Sequence, residues 1–308
     1  MSGHVVIVTA NPAVDVTYGL AVNKPGETNR VQRVVRRAGG KGLNVAHVLT
    51  ALGVEARSVL PAGGDAGSWL RAELSRDPAV GAIDVVPIGG LTRQTVAIVA
   101  DAGHPTLYVE PGPRLTAEEW DRVADAVAKA CEGAAFLVVS GSLPAGAPGD
   151  LVGRWVRAAR ARGARSLVDC SGPALVASAE AEADIIKPNE AELLAATGAA
   201  TLEAGVAQLR RCGAGRLVVS RGAEGLLVFD GEARALVPAV PGVTGNPTGA
   251  GDAAAAGLVA ALVRGYPLEA AARWAGAAGA AAVRQPVAGV IDTADFDAYV
   301  EALGGPRR

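Results

Sequence analysis

The chain has 308 residues, half of them hydrophobic, and a formal net charge of −2 from 29 basic and 31 acidic side chains. That length buries a large core, as one large α/β domain or two smaller ones. The well-mixed charge and an aromatic content of 4% exclude a basic, base-stacking nucleic-acid surface, and the longest apolar runs, around 253–263 and 275–283, are too short and alanine-rich to span a bilayer.

Met1-Ser-Gly-His runs straight into Val5, without a charged-then-apolar secretion pattern. An unbroken apolar strand is predicted from there to Thr9. A glycine turn then opens a helix over 44–52. Helices are predicted over 117–130, 150–162, 190–197 and 201–212, and strands over 136–140, 166–169, 185–187, 217–220 and 226–229. This alternation predicts an α/β fold with a mostly parallel central sheet flanked by helices. Ligands in such folds bind beyond the carboxyl ends of the strands. Two stretches, 15–37 and 92–109, are rich in Val, Thr and Arg and lack helix formers. They are expected to pair as a small β-sheet lid outside the main layer. No linker or internal repeat divides the chain, so residues 1–308 are read as a single domain. Cys131, Cys170 and Cys212, odd in number and widely spaced, fit buried thiols in a reducing cytoplasm better than a disulfide framework or a zinc site.

The motifs follow the strands. After the first, Asn11-Pro-Ala-Val-Asp15 places a carboxylate that either caps a turn or accepts from two sugar hydroxyls. Arg37-Ala-Gly-Gly-Lys-Gly-Leu-Asn44 has three glycines within four positions, which lets backbone approach a ligand closely, with Asn44 near the helix start. It is neither GxxxxGK[ST] nor GxGxxG. Thr92-Arg93 opens the second lid stretch with a side chain suited to bidentate phosphate binding or to a solvated strand. Ser140-Gly-Ser142 offers hydroxyls at a strand end. Lys187-Pro-Asn-Glu-Ala-Glu192 is good helix-start chemistry; alternatively Asn189 and Glu192 face phosphates and a hydrated Mg²⁺. Ser220-Arg-Gly-Ala-Glu-Gly225 is a hairpin loop or a cover for a nucleotide. Last comes Asn246-Pro-Thr-Gly-Ala-Gly-Asp252, a tight turn opening directly into a helix. It aims backbone N–H groups and the positive helix end at one point. Asp252 is either an ordinary cap or a base beside that anion cradle, the minimum equipment for moving phosphate onto an alcohol.

Four of these markers, beginning at Gly39, Lys187, Ser220 and Thr248, occur in the order of the ribokinase-like, phosphofructokinase B type sugar kinases, which the chain resembles over nearly its whole length. Asn11 to Asp15, Pro25-Gly-Glu-Thr-Asn-Arg30, Thr92-Arg93 and Ser140 to Pro144 are similar to the branch acting on sugar phosphates. The resemblance implies Asp252 as base with Gly249, Ala250 and Gly251 as anion hole. It implies Asp15, Gly39, Gly40, Lys41, Asn44 and Ser142 on the sugar and Arg93 on its phosphate. Lys187, Asn189, Ser220, Gly222, Gly225, Thr244, Gly276 and Ala280 are implied on ATP, Glu192 on Mg²⁺ through water, and carbonyls near Asn246 and Thr248 on a monovalent cation such as K⁺. The chain departs from the family at Thr95, where many relatives carry Asn, at Ala97, where many carry Lys, and in Thr106-Leu-Tyr-Val-Glu110, which lacks the combination of acidic and amide residues often seen before Pro-Gly. The expected reaction is ATP-dependent phosphorylation of a ketohexose phosphate. Fructose 1-phosphate comes first and tagatose 6-phosphate or fructose 6-phosphate next, with a homodimer formed through the lid. An unphosphorylated sugar or a nucleoside as acceptor, and a silent sugar-binding module, are the alternatives.

Overall fold

The computed structural model describes residues 3–100 and 106–308. Its first strand, β1 (Val5–Val8), is an unbroken apolar run buried on both faces, as a central parallel strand must be. The chain leaves the main sheet for β2 (Ala13–Leu20) and β3 (Arg33–Gly39). It returns through α1 (Lys41–Ala51), β4 (Ala56–Ala62), α2 (Gly64–Leu74) and β5 (Ala82–Pro87), then leaves again for β6 (Arg93–Ala100) and β7 (Thr106–Val109). Regular alternation follows: α3 (Ala117–Ala130), β8 (Phe136–Ser140), α4 (Leu151–Arg160), β9 (Arg165–Asp169), α5 (Pro173–Glu180), β10 (Ile185–Ile186), α6 (Glu190–Thr197), α7 (Leu202–Arg211) and β11 (Arg216–Ser220). β12 (Leu226–Asp230) and β13 (Ala233–Val237) precede α8 (Ala250–Val263), α9 (Leu268–Val283) and α10 (Thr293–Ala302).

The main sheet runs β13-β12-β11-β10-β9-β8-β1-β4-β5, parallel from β11 to β5 with an antiparallel edge of β12 and β13. Alternate side chains feed two cores. Val5, Ile7, Val138, Leu167 and Val218 pack under α1, α8 and α9. Val6, Val8, Leu137, Val139 and Val168 pack under α3, α4, α5 and α7. The alanines of α8 and α9 let the two backbones nearly touch: a Cβ on Gly257 would lie 2.6 Å from the Trp274 carbonyl. Among the described residues, no helix is long and apolar enough to cross a membrane.

The two stretches expected as a lid do form a separate sheet, in the order β3-β2-β6-β7. It begins at Ala13 and ends its first hairpin at Gly39, slightly wider than 15–37. Residues 101–105 of the second stretch lie outside the described residues. The sheet is mixed, not a pair of edge hairpins, because β2 and β6 run parallel.

Candidate active site

Four neighbouring strands turn polar at one level. The register pairs Val8 with Val139, Val139 with Val168 and Val168 with Ile186. The next residues, Thr9, Ser140, Asp169 and Lys187, therefore stand in a row at the carboxyl ends, where parallel sheets bind ligands. Lys187 Nζ lies 2.9 Å from Asp169 Oδ2, and both side chains are buried. Among the described residues, the buried Thr9 and Ser140 hydroxyls have no hydrogen-bond partner. Polar groups so placed suit a polar ligand.

The turn before α8 lies over this row. Gly249, not Asp252, is the helix cap; its φ is 84°, and a Cβ there would lie 2.6 Å from that of Ala288. The Ala250 amide closes the turn onto the Pro247 carbonyl at 3.2 Å. The Ala250 amide of the expected anion hole is thus engaged within the turn, and its neighbours Gly249, Gly251 and Asp252 have amides free of backbone partners among the described residues. An amino terminus with free amides attracts anions.

Asp252 sits one turn into the helix, 5% exposed, and accepts a 2.8 Å hydrogen bond from Asn44 Nδ2 on α1. Burial pushes its carboxyl up to about 7; the Asn44 bond, Lys41 and Lys187 oppose the rise, and Asp169 adds to it. A carboxylate tuned near neutrality suits a general base.

The glycines before α1 bring its start onto the end of β1. A Cβ on Gly40 would meet Thr9 Cγ2 at 2.7 Å, and one on Gly42 would meet Thr9 Oγ1 at 2.2 Å. Lys41 reaches back across the site, its Nζ 3.9 Å from Glu192 Oε1. Burial disfavours its ammonium, but Asp169, Asp252 and Glu192 outweigh that and hold its pKa above the ordinary value.

The start of α6 serves structure first. Asn189 Oδ1 accepts from the Glu192 amide at 2.7 Å, and Glu192 Oε2 accepts from the Asn189 amide at 2.9 Å. This capping box is the helix-start use of the motif, and it leaves Glu192 Oε1 turned to Lys41. The segment from Ser220 to Gly225 is a hairpin between β11 and β12. It is tied to α6 by the 2.9 Å Arg221–Glu190 pair, with Gly222 exposed at its tip. Asn246 clamps its turn through Thr248 N–H and the Pro286 carbonyl. Thr244 and Thr248 are exposed beside it. Gly276 faces Leu226, Val237 and Leu303, one turn before the half-buried Ala280.

The lid sheet brings its own polar groups. The Asp15 carboxylate lies over Gly39, where a Cβ would fall 2.1 Å from Oδ2. Burial raises the Asp15 pKa against the opposing effects of Arg93, the Thr95 hydroxyl and Arg37. Arg93 donates to the Asn11 carbonyl through Nε and Nη2, both at 3.2 Å, and to the Glu110 carbonyl through Nη1 at 3.4 Å. Among the described residues, two of its five N–H groups have no partner. Asn11 Nδ2 donates to Ser142 Oγ at 3.3 Å.

In the sequence, Asp169 and Thr9 stand out only as strand ends. The available signal was a polar residue closing an apolar run. A cleft of about 310 Å³ lies elsewhere, between Arg160, Glu182, Asp184, Arg216 and Asp230. Its charged groups are already engaged, Arg160 with Glu182, Arg216 with Asp230 and Asp184 with Ser166, which leaves it no evident chemistry. Among the described residues no three His, Cys, Asp or Glu side chains form a metal cage. Mg²⁺ needs none, because it keeps its waters and binds through phosphates and one or two carboxylates. Glu192 and Asp169 fit that demand.

Residues 4–294 match the family model described as pfkB family carbohydrate kinase. The ATP-dependent 6-phosphofructokinase isozyme 2 of Mycobacterium tuberculosis is 31% identical over 310 residues, 98% of this chain and 91% of that protein. Phosphofructokinase-2 of Escherichia coli in complex with fructose-6-phosphate has a TM-score of 0.88 at 29% identity, covering 98% of this chain and 100% of that one. Its potassium complex gives 0.90 and its tetrameric inhibited form 0.89. A possible 1-phosphofructokinase of Thermotoga maritima shares the fold, with a TM-score of 0.86 at 24% identity over 97% of each chain.

Proposed function

The chain belongs to the pfkB family of carbohydrate kinases and is a sugar-phosphate kinase, and from that premise we propose that it moves the γ-phosphoryl group of ATP onto a hydroxymethyl group of a ketohexose phosphate. The observation that carries this reading is Asp252, buried and tuned near neutrality one turn inside an open helix start. Fructose 6-phosphate takes the place that sequence reasoning gave to fructose 1-phosphate, with tagatose 6-phosphate after them. A relative named as a 6-phosphofructokinase matches at 31% identity and a phosphofructokinase-2 solved with fructose-6-phosphate at 29%, against 24% for the possible 1-phosphofructokinase. Either fructose phosphate would give the same bisphosphate.

In this reading Asp252 takes the proton of the attacking hydroxyl as its oxygen bonds to phosphorus and ADP leaves. Charge on the transferring group meets the Gly249 and Gly251 amides, the α8 dipole and Lys41. Asp15, Gly39, Gly40, Asn44 and Ser142 hold the sugar, and Arg93 its phosphate. ATP lies along Lys187, Asn189, Ser220, Gly222, Gly225, Thr244, Gly276 and Ala280. Glu192, through water, and Asp169 would hold Mg²⁺, which would supply counter-charge to the phosphates. Carbonyls near Asn246 and Thr248 are assigned to K⁺. Free thiols at Cys131, Cys170 and Cys212 suit a reducing cytoplasm, where we place the enzyme.

Arg93→Ala is expected to raise KM for fructose 6-phosphate by at least tenfold, from loss of a charge-assisted contact worth about 1.5–3 kcal/mol. KM for unphosphorylated fructose should hardly move. Equal losses on both acceptors would make Arg93 a structural residue.

The 1–308 chain acts in this reading as one domain whose second sheet closes over the sugar to exclude water. Edge strands β3 and β7 expose Val34, Leu107, Tyr108 and Val109, and such edges invite a second copy. A homodimer through the lid follows from that exposure. Saturation with fructose 6-phosphate is expected to slow amide exchange in β2, β3, β6 and β7. Exchange rates that stay the same in all four strands would rule out closure.

A further inference from the structure

We propose that Arg37 is a second anion-binding residue of the acceptor pocket, acting with Arg93 to select acceptors that carry a phosphate. This rests on the sugar-phosphate reading above and deepens it. Side chains two apart on a strand share a face, and directly paired residues share it across strands. Asp15 pairs with Arg37 on one side and Thr95 on the other, while Ala13 pairs with Gly39 and Arg93. One face of the lid sheet therefore carries Arg93 and Thr95 on β6, Asp15 on β2, and Arg37 and Gly39 on β3. The two arginines flank Asp15 from opposite neighbours, two inter-strand spacings apart across the sheet and two residues apart along it, which puts their backbones roughly 12 Å apart. Two long guanidinium side chains can close that span on one phosphate.

Their present contacts differ. Arg93 is pinned by three bonds to carbonyls and keeps two free N–H groups. Arg37 is half-buried and makes no hydrogen bond or ion pair among the described residues. The Asp15 and Asp77 carboxylates both feel its charge, but its five donors are bonded to neither and remain available to an anion that reaches them.

The competing assignment is a latch between lid and body. Arg37 borders a cleft with Ala38, His47, Glu73, Leu74 and Asp77. That cleft holds about 50 Å³, room for one or two waters and not for a sugar phosphate. Its Asp77 carboxylate is already engaged, by His47 Nε2 at 2.8 Å and the Ala79 amide at 2.9 Å. A latch would grip Glu73 and share the Asp77 carboxylate, which already feels the Arg37 charge.

The test is steady-state kinetics of wild type, Arg37→Ala, Arg37→Lys and Arg93→Ala, with fructose 6-phosphate and with fructose as acceptor, together with melting temperatures. Arg37→Ala is expected to raise KM for fructose 6-phosphate about tenfold, the worth of one charge-assisted contact. The KM values for ATP and fructose should stay within about twofold, and Arg37→Lys should recover part of the loss. An unchanged KM for fructose 6-phosphate overturns the proposal, and so does an equal rise for fructose. A lowered melting temperature with unchanged KM also overturns it, in favour of the latch. Arg93→Ala separates the two levels. If it is selective for the phosphate and Arg37→Ala is not, the inference fails and the pocket stands; if neither is selective, the sugar-phosphate pocket itself is misplaced.

Discussion

Replacing Asp252 with asparagine is expected to lower turnover by about two to four orders of magnitude, the usual worth of a general base. The substitution is nearly isosteric, and Asn44, which donates to Oδ2, can still donate to an amide oxygen. KM values should therefore change little, which separates a lost base from a disrupted pocket. The wild-type pH profile carries the same information. With the carboxyl pushed up to about 7 by burial, kcat/KM should rise with pH and level off above a midpoint near 7, and the variant should lose that limb. Stability runs the other way. A carboxyl whose folded pKa exceeds its unfolded value of 3.8 favours folding fully below that value, and the benefit is lost as pH rises towards 7. Ionising the base thus costs stability at the pH where it works, and Asp252→Asn should be more stable than wild type above pH 7. A variant within threefold of wild-type turnover would remove Asp252 from the mechanism.

Lys187→Met should cost about 3–5 kcal/mol of folding stability, because it leaves the Asp169 carboxylate buried without its partner. For a domain of this size that is roughly a 5–10 °C fall in melting temperature. The companion Lys187→Met/Asp169→Asn variant removes the stranded charge and should recover most of the loss. Neither should bind ATP normally, since the row at the carboxyl ends of β8, β9 and β10 has lost its cation. Chemical denaturation of the three proteins checks this. A single variant within 1 kcal/mol of wild type would mean that water reaches Asp169 and that the row is not closed from below.

What could be read from the sequence was uneven, for physical reasons. β1 and β8 are unbroken apolar runs because both of their faces are buried, and they were found to within a residue. β4 and β5 were not expected. β4 carries Arg57, Ser58 and Pro61, and the 2.6 Å pair between Arg57 and Asp84 joins it to the edge strand β5. Their polar residues conceal two strands that complete the sheet. The lid was legible as a separate sheet, but the parallel pairing of β2 with β6 depends on contacts across some eighty residues of chain. At the site, glycine strings announced Gly40, Gly249 and the helix starts behind them. Asp169 belongs to no motif; only the register that sets it beside Lys187 and Ser140 reveals it. Asn189 and Glu192 show the converse, a motif whose first use is a capping box.

The central claim, that this fold is a kinase for a phosphorylated ketohexose, is tested most directly by coupled measurement of ADP release. The purified chain would be given Mg-ATP and, in turn, fructose 6-phosphate, fructose 1-phosphate, tagatose 6-phosphate, fructose and ribose. The account predicts turnover on the ketohexose phosphates, highest kcat/KM on fructose 6-phosphate, and a far lower value on either free sugar. Equal or better turnover on a free sugar, or no acceptor-dependent ADP release at all, would contradict it.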